Sequence, residues 1–345
     1  MANNVLNGIN YKLADWWEPA EKEKLLCTLC PRYCKIGEGQ AGFCYIRQNH
    51  GGKLYTTGYG HPTGFAIDPV EKKPLNHFLP GTNILSFGTA GCNLGCKFCQ
   101  NWSISKARLD ELNSLSVSPE DVVAIAKNHS ISSIAFTYND PTIFGEYVID
   151  ISRIARDENI KSVMVTAGYI DKNARKDVYK YIDAANVDLK AFTEKFYFKV
   201  TSSHLNDVLD TLFWLKHETC IWLEITTLLI PGENDSTDEI KMECDWIVEN
   251  LGDSVPVHFT AFHPDFKMTN KDRTPKSTLL RARDIAFSAG IKFCYTGNVH
   301  DTNGQNTYCP NCGAELISRD WHSVKSNKIK NGCCFKCGSK IPGVF

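Results

Sequence analysis

The sequence has no low-complexity tract, no long apolar run and almost no net charge. Each absence excludes something. Without 18 consecutive apolar residues it offers no candidate membrane span. A formal net charge of −1 gives no bulk attraction to nucleic acid or anionic lipid, and no basic stripe marks a nucleic-acid surface. The opening MANNVLNGINYKLADWW lacks a charged start followed by an apolar stretch, so no signal peptide is expected and the cytoplasm is the expected compartment. What remains is ordinary for a globular protein: 345 residues, 43% hydrophobic and 22% charged. That length suits one large core, or one barrel-sized domain with small appendages.

Cysteine, by contrast, is plentiful, with 15 in the chain. In a long chain without a leader, such a count points to metal rather than to disulfides. The head group is Cys27, Cys30, Cys34 and Cys44. A second group is Cys92, Cys96 and Cys99, and the tail holds Cys309, Cys312, Cys333, Cys334 and Cys337. Cys220, Cys244 and Cys294 stand apart and read as small buried hydrophobes.

Between residues 83 and 300, strand-like and helix-like segments alternate. The expected strands are NILSF (83–87), SSIAFTY (132–138), SVMVTA (162–167), NVDLKA (186–191), CIWLEITT (220–227), PVHFTAF (256–262) and IKFCYT (291–296). Ser118-Pro119-Glu120-Asp121 marks a helix start, with a cap, a first-turn proline and acids. Such alternation implies α/β architecture on a parallel sheet, as a full or partial barrel, with a doubly wound open sheet as the alternative. The expected organisation is a Cys-rich N-terminal segment (1–78), a barrel (79–303) and a zinc-ribbon-like module (304–345). Period-2 alternation sets Asn186, Asp188, Lys190, Glu224, Thr226, His258, Thr260, Lys292, Cys294 and Thr296 opposite apolar residues. Helices cover the apolar face, so these polar side chains are expected to point inward around a polar ligand, with internal salt bridges such as Asp188–Lys190 as the alternative.

The loop GTAGCNLGCKFCQNW (88–102) follows the first strand, where α/β folds place their sites. Its spacing is C-x3-C-x2-C, one ligand short of a closed zinc or iron–sulfur site. Three thiolates can hold three irons of a cubane and leave the fourth open to a small molecule. A three-cysteine zinc site completed by a distant histidine is the other arrangement.

With Phe98 just before its third cysteine, this loop resembles that of the radical S-adenosylmethionine superfamily. The likeness extends through TYNDP (137–141), VTAGY (165–169), VDLKAF (187–192), LLIPGEND (228–235) and FH (262–263), in the order seen in pyruvate formate-lyase activating enzyme and its relatives. AIDPVEKKPLNHFLPG (66–81) and CTLCPRYCKIGEGQAGFC (27–44) resemble the radical enzyme of the AmmeMemoRadiSam system. The resemblance implies a partial (β/α)6-type barrel and a [4Fe–4S] cluster on Cys92, Cys96 and Cys99. S-adenosylmethionine would chelate the open iron through its amino and carboxylate groups. One electron would then give methionine and a 5′-deoxyadenosyl radical that abstracts hydrogen. By position, the resemblance puts the Phe98 region against adenine, Asn139 and Asp140 at the methionine amino group, and Thr166, Asp188 and Lys190 at the ribose or carboxylate, with His263 nearby. Asp140 could instead only start a turn and helix with Pro141. The resemblance also implies an electron donor such as flavodoxin or ferredoxin, and Memo-like and AMMECR-like partners.

In the tail, Cys309-x2-Cys312-Gly and Cys334-x2-Cys337-Gly form two knuckles, a spacing that favours tetrahedral zinc, with rubredoxin-like iron as the alternative and Cys333 as a spare. So small a ribbon needs its metal to fold. The head spacing C-x2-C-x3-C-x9-C suffices for zinc or an auxiliary cluster, with unligated thiols as the alternative. His61 and His77 are expected to be structural. Glu224, His258, Asn298 and His300 are candidate substrate contacts. The expected activity is hydrogen abstraction from a small molecule or protein, with glycyl-radical activation as an alternative. A metal scaffold or electron carrier is the non-enzymatic alternative, and it leaves the missing fourth ligand unexplained.

Overall fold

The fold is that of a computed structural model, which describes residues 4–6, 9–112 and 115–345. Residues 1–3 and 7–8 of the expected N-terminal segment lie outside the described residues. The chain forms two compact units, one of residues 1–67, 85–183 and 201–203, the other of 68–84, 184–200 and 204–345.

The first unit holds the larger part of strands β1 (Thr63–Pro69) and β2 (Asn83–Gly88), and all of β3 (Ser133–Phe136) and β4 (Lys161–Thr166), each beside its predecessor. β2 pairs with β3, and β3 with β4, in parallel. Helix α1 (Pro119–Asn128) starts as expected: the Ser118 hydroxyl accepts from the Asp121 amide, and the Asp121 carboxylate accepts from the Ser118 amide, both at 3.1 Å. Helix α2 (Gly145–Asp157) lays Tyr147 against Phe87, ring centroids 5.9 Å apart, and Phe87 meets Phe136 at 5.6 Å. This buried aromatic group fixes the end of β2 from which the cysteine loop departs. The head adds short antiparallel strands, including Trp17–Ala20 with Lys24–Cys27 and Arg47–His50 with Lys53–Thr56.

The second unit repeats the pattern with β5 (Ala184–Asp188), β6 (Trp222–Leu229), β7 (Val257–Ala261) and β8 (Cys294–Gly297), all parallel and in sequence order. Helices α3 (Leu205–Glu218), α4 (Thr237–Leu251) and α5 (Lys276–Ala289) connect them. Neither set of strands reverses its order, as a doubly wound sheet does at its switch point.

Alternation places most side chains where the sequence predicts. Asn186 is in register with Glu224, and Asp188 with Thr226, which aligns with His258. On β8 the prediction is reversed. Tyr295, not Cys294 or Thr296, lies beside His258, and their rings stack with centroids 5.0 Å apart. Cys294 aligns with Val257 on the other face, where Arg283 of α5 donates to its carbonyl. A tyrosine satisfies both tendencies: its ring counts as apolar in the pattern, while its hydroxyl reaches a polar partner. Cys244 and Cys294 are buried as expected. Cys220 is exposed, because it lies in the turn between α3 and β6 rather than on a core strand.

Candidate active site and metal centres

β2 ends at Gly88, and the cysteine loop leaves from its C-terminal end. Gly91 has φ +81°, and a Cβ there would stand 2.0 Å from the Cys44 carbonyl oxygen. Only glycine tolerates both the angle and the approach. The Gly95 amide donates to the Thr201 carbonyl at 2.7 Å, and Lys106 Nζ donates to the Leu94 carbonyl at 2.6 Å. Asn139 braces the same loop: its Oδ1 accepts from the Thr89 amide at 3.2 Å and its Nδ2 donates to the Gly91 carbonyl at 2.7 Å.

Donors also reach the sulfurs. The Leu94 amide approaches Cys92 Sγ at 3.4 Å, and Ser105 Oγ lies 3.2 Å from Cys99 Sγ. Burial, then the nearby Asp140 carboxylate, raise the Cys92 pKa, and Lys106 opposes them. Three thiols with amide and hydroxyl donors on a pinned loop fit three corners of a [4Fe–4S] cluster, whose bound iron would take the place of the thiol protons. Cys96 and Phe98 are buried in the loop.

Asp140 is buried among donors. Its Oδ1 accepts from the Thr142 amide at 2.9 Å, its Oδ2 from the Ala167 amide at 2.8 Å, and the Thr166 hydroxyl reaches both oxygens at 3.1 Å. Burial raises its pKa and these hydrogen bonds work against the rise. Asp140 therefore starts the Pro141–Phe144 turn and ties the exit of β3 to that of β4. The structure thus brings Cys92, Cys96, Cys99, Phe98, Asn139, Asp140 and Thr166 into one region of the first unit. There Asn139 and Asp140 spend hydrogen-bonding capacity on protein groups.

In the second unit, Asp188 ends β5 and its carboxylate pairs with Lys190 Nζ at 2.6 Å, both partly exposed. His263 lies two residues beyond β7 with its side chain 49% exposed. These three stand at or beyond the C-terminal ends of their strands.

Two candidate substrate contacts prove structural. Glu224 and His258 lie near the N-terminal ends of β6 and β7, the end that serves stability in βα barrels. The Glu224 carboxylate is fully buried. Its Oε2 accepts from the Asn76 amide at 2.9 Å and His258 Nε2 at 2.7 Å; its Oε1 accepts from the His77 amide at 2.8 Å and Trp222 Nε1 at 2.9 Å. Burial alone would raise its pKa, but His258 leads the donors that hold it below the usual range. His77, buried, meets the Pro342 carbonyl at 2.7 Å and the Tyr295 hydroxyl at 2.6 Å, and burial pushes its pKa down to about 4. Protein donors thus reach both oxygens of the Glu224 carboxylate. The partners were invisible in the sequence because residues 76 and 77 lie about 150 positions from Glu224. Asn298 Nδ2 donates to the Ala261 carbonyl at 3.1 Å, and His300 is exposed beside Trp321.

The tail brings Cys309, Cys312, Cys334 and Cys337 together with all four sulfurs within 4.8 Å of one another. Cys309 and Cys337 Sγ are 3.6 Å apart, and Cys312 and Cys334 Sγ 3.8 Å. Gly313 and Gly338 take φ +69° and +74°, the turns expected after each knuckle. Cys333 is left out of the quartet, as expected. The fit is that of one tetrahedral ion. The tail does not depend on its own apolar residues alone: Leu316, Ile317 and Ile341 share a core with Phe293 and Tyr295.

Residues 87–244 match the Radical SAM superfamily, whose members use a [4Fe–4S] cluster and S-adenosylmethionine. This chain therefore carries a domain of that superfamily. It is 42% identical over 330 residues to an uncharacterized protein of Methanocaldococcus jannaschii, covering 95% of this chain and 98% of that one. A second protein of that organism, which bears the provisional name glycyl-radical enzyme activating enzyme, is 26% identical over 204 residues, 57% of this chain and 74% of its own. A radical SAM methyltransferase from Sphaerobacter thermophilus aligns with a TM-score of 0.51 at 19% identity, over 64% of this chain and 68% of that one. That likeness is one of fold: α/β, with a partial barrel-like parallel sheet. Among the described residues no helix is long and apolar enough to cross a membrane.

Proposed function

We propose that this chain is a radical enzyme that cleaves S-adenosylmethionine reductively and abstracts hydrogen from a small-molecule or protein substrate. The observation that carries the reading is the three-thiol loop at the C-terminal end of β2, pinned by Asn139, Lys106 and the Gly95 amide. A [4Fe–4S] cluster on Cys92, Cys96 and Cys99 would supply the electron that yields methionine and a 5′-deoxyadenosyl radical. Phe98 would back the adenine. Thr166, Asp188, Lys190 and His263 would bind the ribose and carboxylate. Asn139 and Asp140 would position the loop and the β4 exit, supporting the methionine moiety through the backbone they hold. A flavodoxin- or ferredoxin-like protein would donate the electron, and the tail quartet would hold zinc.

Resemblance to the AmmeMemoRadiSam branch favours a metabolite or protein side chain as substrate, with Memo-like and AMMECR-like partners in the cytoplasm. Glycyl-radical activation is a second reading, supported by the relative that bears that name.

The test is anaerobic. The reconstituted, reduced protein should convert S-adenosylmethionine to 5′-deoxyadenosine, and the Cys92→Ala, Cys96→Ala and Cys99→Ala variants should not. An active Cys96→Ala protein with an intact cluster would overturn the ligand assignment.

A further inference from the structure

We propose that Cys27, Cys30, Cys34 and Cys44 hold a second [4Fe–4S] cluster, fully ligated by protein, beside the three-cysteine loop. All four cysteines line a single cavity, together with Arg47 and Asn93. Their arrangement differs from the tail quartet in the way that separates a cluster from a single ion. Zinc holds its sulfurs at about 2.3 Å, so they stand roughly 3.8 Å apart and nothing fits between them but the ion. The tail meets that standard. In the head, no three sulfurs gather within 4.8 Å, because among the described residues the tail quartet is the one group that does. The head cysteines instead stand around one small cavity. A cubane has an iron at each of four corners, so its four thiolates stand farther apart than those on a single ion.

The surroundings suit an anionic centre. Four thiolates on an oxidised cubane carry a net charge of about −2. Arg32 lines the cavity, donates to the Asn93 and Ser202 carbonyls, and stacks its guanidinium 3.5 Å from the Phe43 ring centroid. The Phe43 amide points at Cys34 Sγ at 3.5 Å. Arg47 is buried and held against Glu146 at 2.7 Å, which fixes the wall behind the thiols.

The position is also specific. The Cys44 carbonyl is the group that excludes any side chain at Gly91, and Asn93, which lines the cavity, follows Cys92. The two centres therefore share a wall within the first unit. With a protein thiolate on every iron, the head cluster would offer no corner to S-adenosylmethionine.

The experiment measures iron, acid-labile sulfide and zinc in the full chain after anaerobic reconstitution. The wild type should hold about eight sulfides, and the Cys92→Ala/Cys96→Ala/Cys99→Ala variant about four. The reduced triple variant should show the electron paramagnetic resonance signal of a [4Fe–4S] cluster, unchanged by S-adenosylmethionine. Adding Cys30→Ser and Cys44→Ser should remove the remaining sulfide. Two zinc ions per chain with about four sulfides in the wild type and none in the triple variant would overturn the proposal in favour of a single-ion head site. A signal that shifts with S-adenosylmethionine would refute full protein ligation. The wild-type count stands even if the variants fold poorly. Failure of the radical reading appears separately, as absence of 5′-deoxyadenosine with the head cluster present.

Discussion

Replacing Glu224 by alanine should destabilise the second unit and spare the chemistry. The carboxylate accepts from two backbone amides, Asn76 and His77, and from the Trp222 and His258 side chains. Alanine removes all four acceptor contacts and leaves a cavity. Each buried donor stripped of its partner costs about 1–3 kcal/mol, and the two amides cannot turn toward another acceptor. A loss of about 4 kcal/mol is expected, roughly 10 °C in melting temperature for a unit of this size. Glu224→Gln keeps the volume but turns an amide N–H₂ toward donors, so about half that loss is expected. The assay pairs thermal unfolding, followed by near-ultraviolet circular dichroism, with 5′-deoxyadenosine formation per folded molecule well below the melting temperature. Turnover of the folded variant should stay within about twofold of wild type, under 1 kcal/mol of barrier. Unchanged melting with turnover reduced about 100-fold would refute the reasoning and return Glu224 to the substrate. The acid limb gives a second check. The folded pKa of Glu224 lies below its unfolded value, so its contribution is present above the unfolded pKa and is lost as pH falls through the folded one.

Four further outcomes are expected. Glu243 is buried with one hydroxyl partner, Thr227 at 2.5 Å, and burial raises its pKa from 4.5 to about 8. The fold binds that proton more tightly than the unfolded chain, so stability should fall as pH rises from about 5 to 8, and Glu243→Gln should gain about 3 kcal/mol at pH 7 in urea titrations. His77 is neutral in the fold with its pKa pushed down to about 4, so wild-type stability should drop by up to about 1.4 kcal/mol per pH unit below pH 6.5, a slope that His77→Gln should lose. Gly91→Ala should prevent loading of the Cys92–Cys99 cluster, read as lost sulfide and absorbance, because its Cβ would collide with the Cys44 carbonyl. Chelating the tail ion should lower the melting temperature of the second unit as a whole, since the tail core includes Phe293 and Tyr295.

The elements that carry local signals were legible in the sequence: the strands at β2 to β8, the cap at Ser118, the two knuckles and the three-cysteine loop. Periodicity and turn chemistry act over a few residues, and these features need nothing more. What was not legible depends on distant chain. Asn139 reads as a candidate ligand, yet Thr89 and Gly91, about 50 residues away, take up its amide. The inward polar residues of β6 and β7 were correctly oriented, but their partners come from residues 76 and 77. Tyr295 misleads for a different reason, because a ring that packs like an apolar residue also carries the hydroxyl that His77 meets.

The polar face of the second unit therefore has two uses, divided along the strands. At the N-terminal ends, Glu224, His258 and Tyr295 are consumed by a network that reaches into the tail: Tyr295 Oη lies 2.8 Å from Thr307 Oγ1, and Arg319 donates to the Asn76 carbonyl at 2.8 Å. Arg319 also faces Glu71 at 3.6 Å with both side chains almost fully buried. Buried charges are tolerated where each has its partners, so this end is fixed and closed. At the C-terminal ends, Asp188 and Lys190 pair with each other, partly in solvent, and His263 is half exposed. One alternation in the sequence thus encodes both a closed base and a rim of partly exposed polar groups. The end of the strand at which a polar residue falls, rather than its chemistry, decides which of the two it serves.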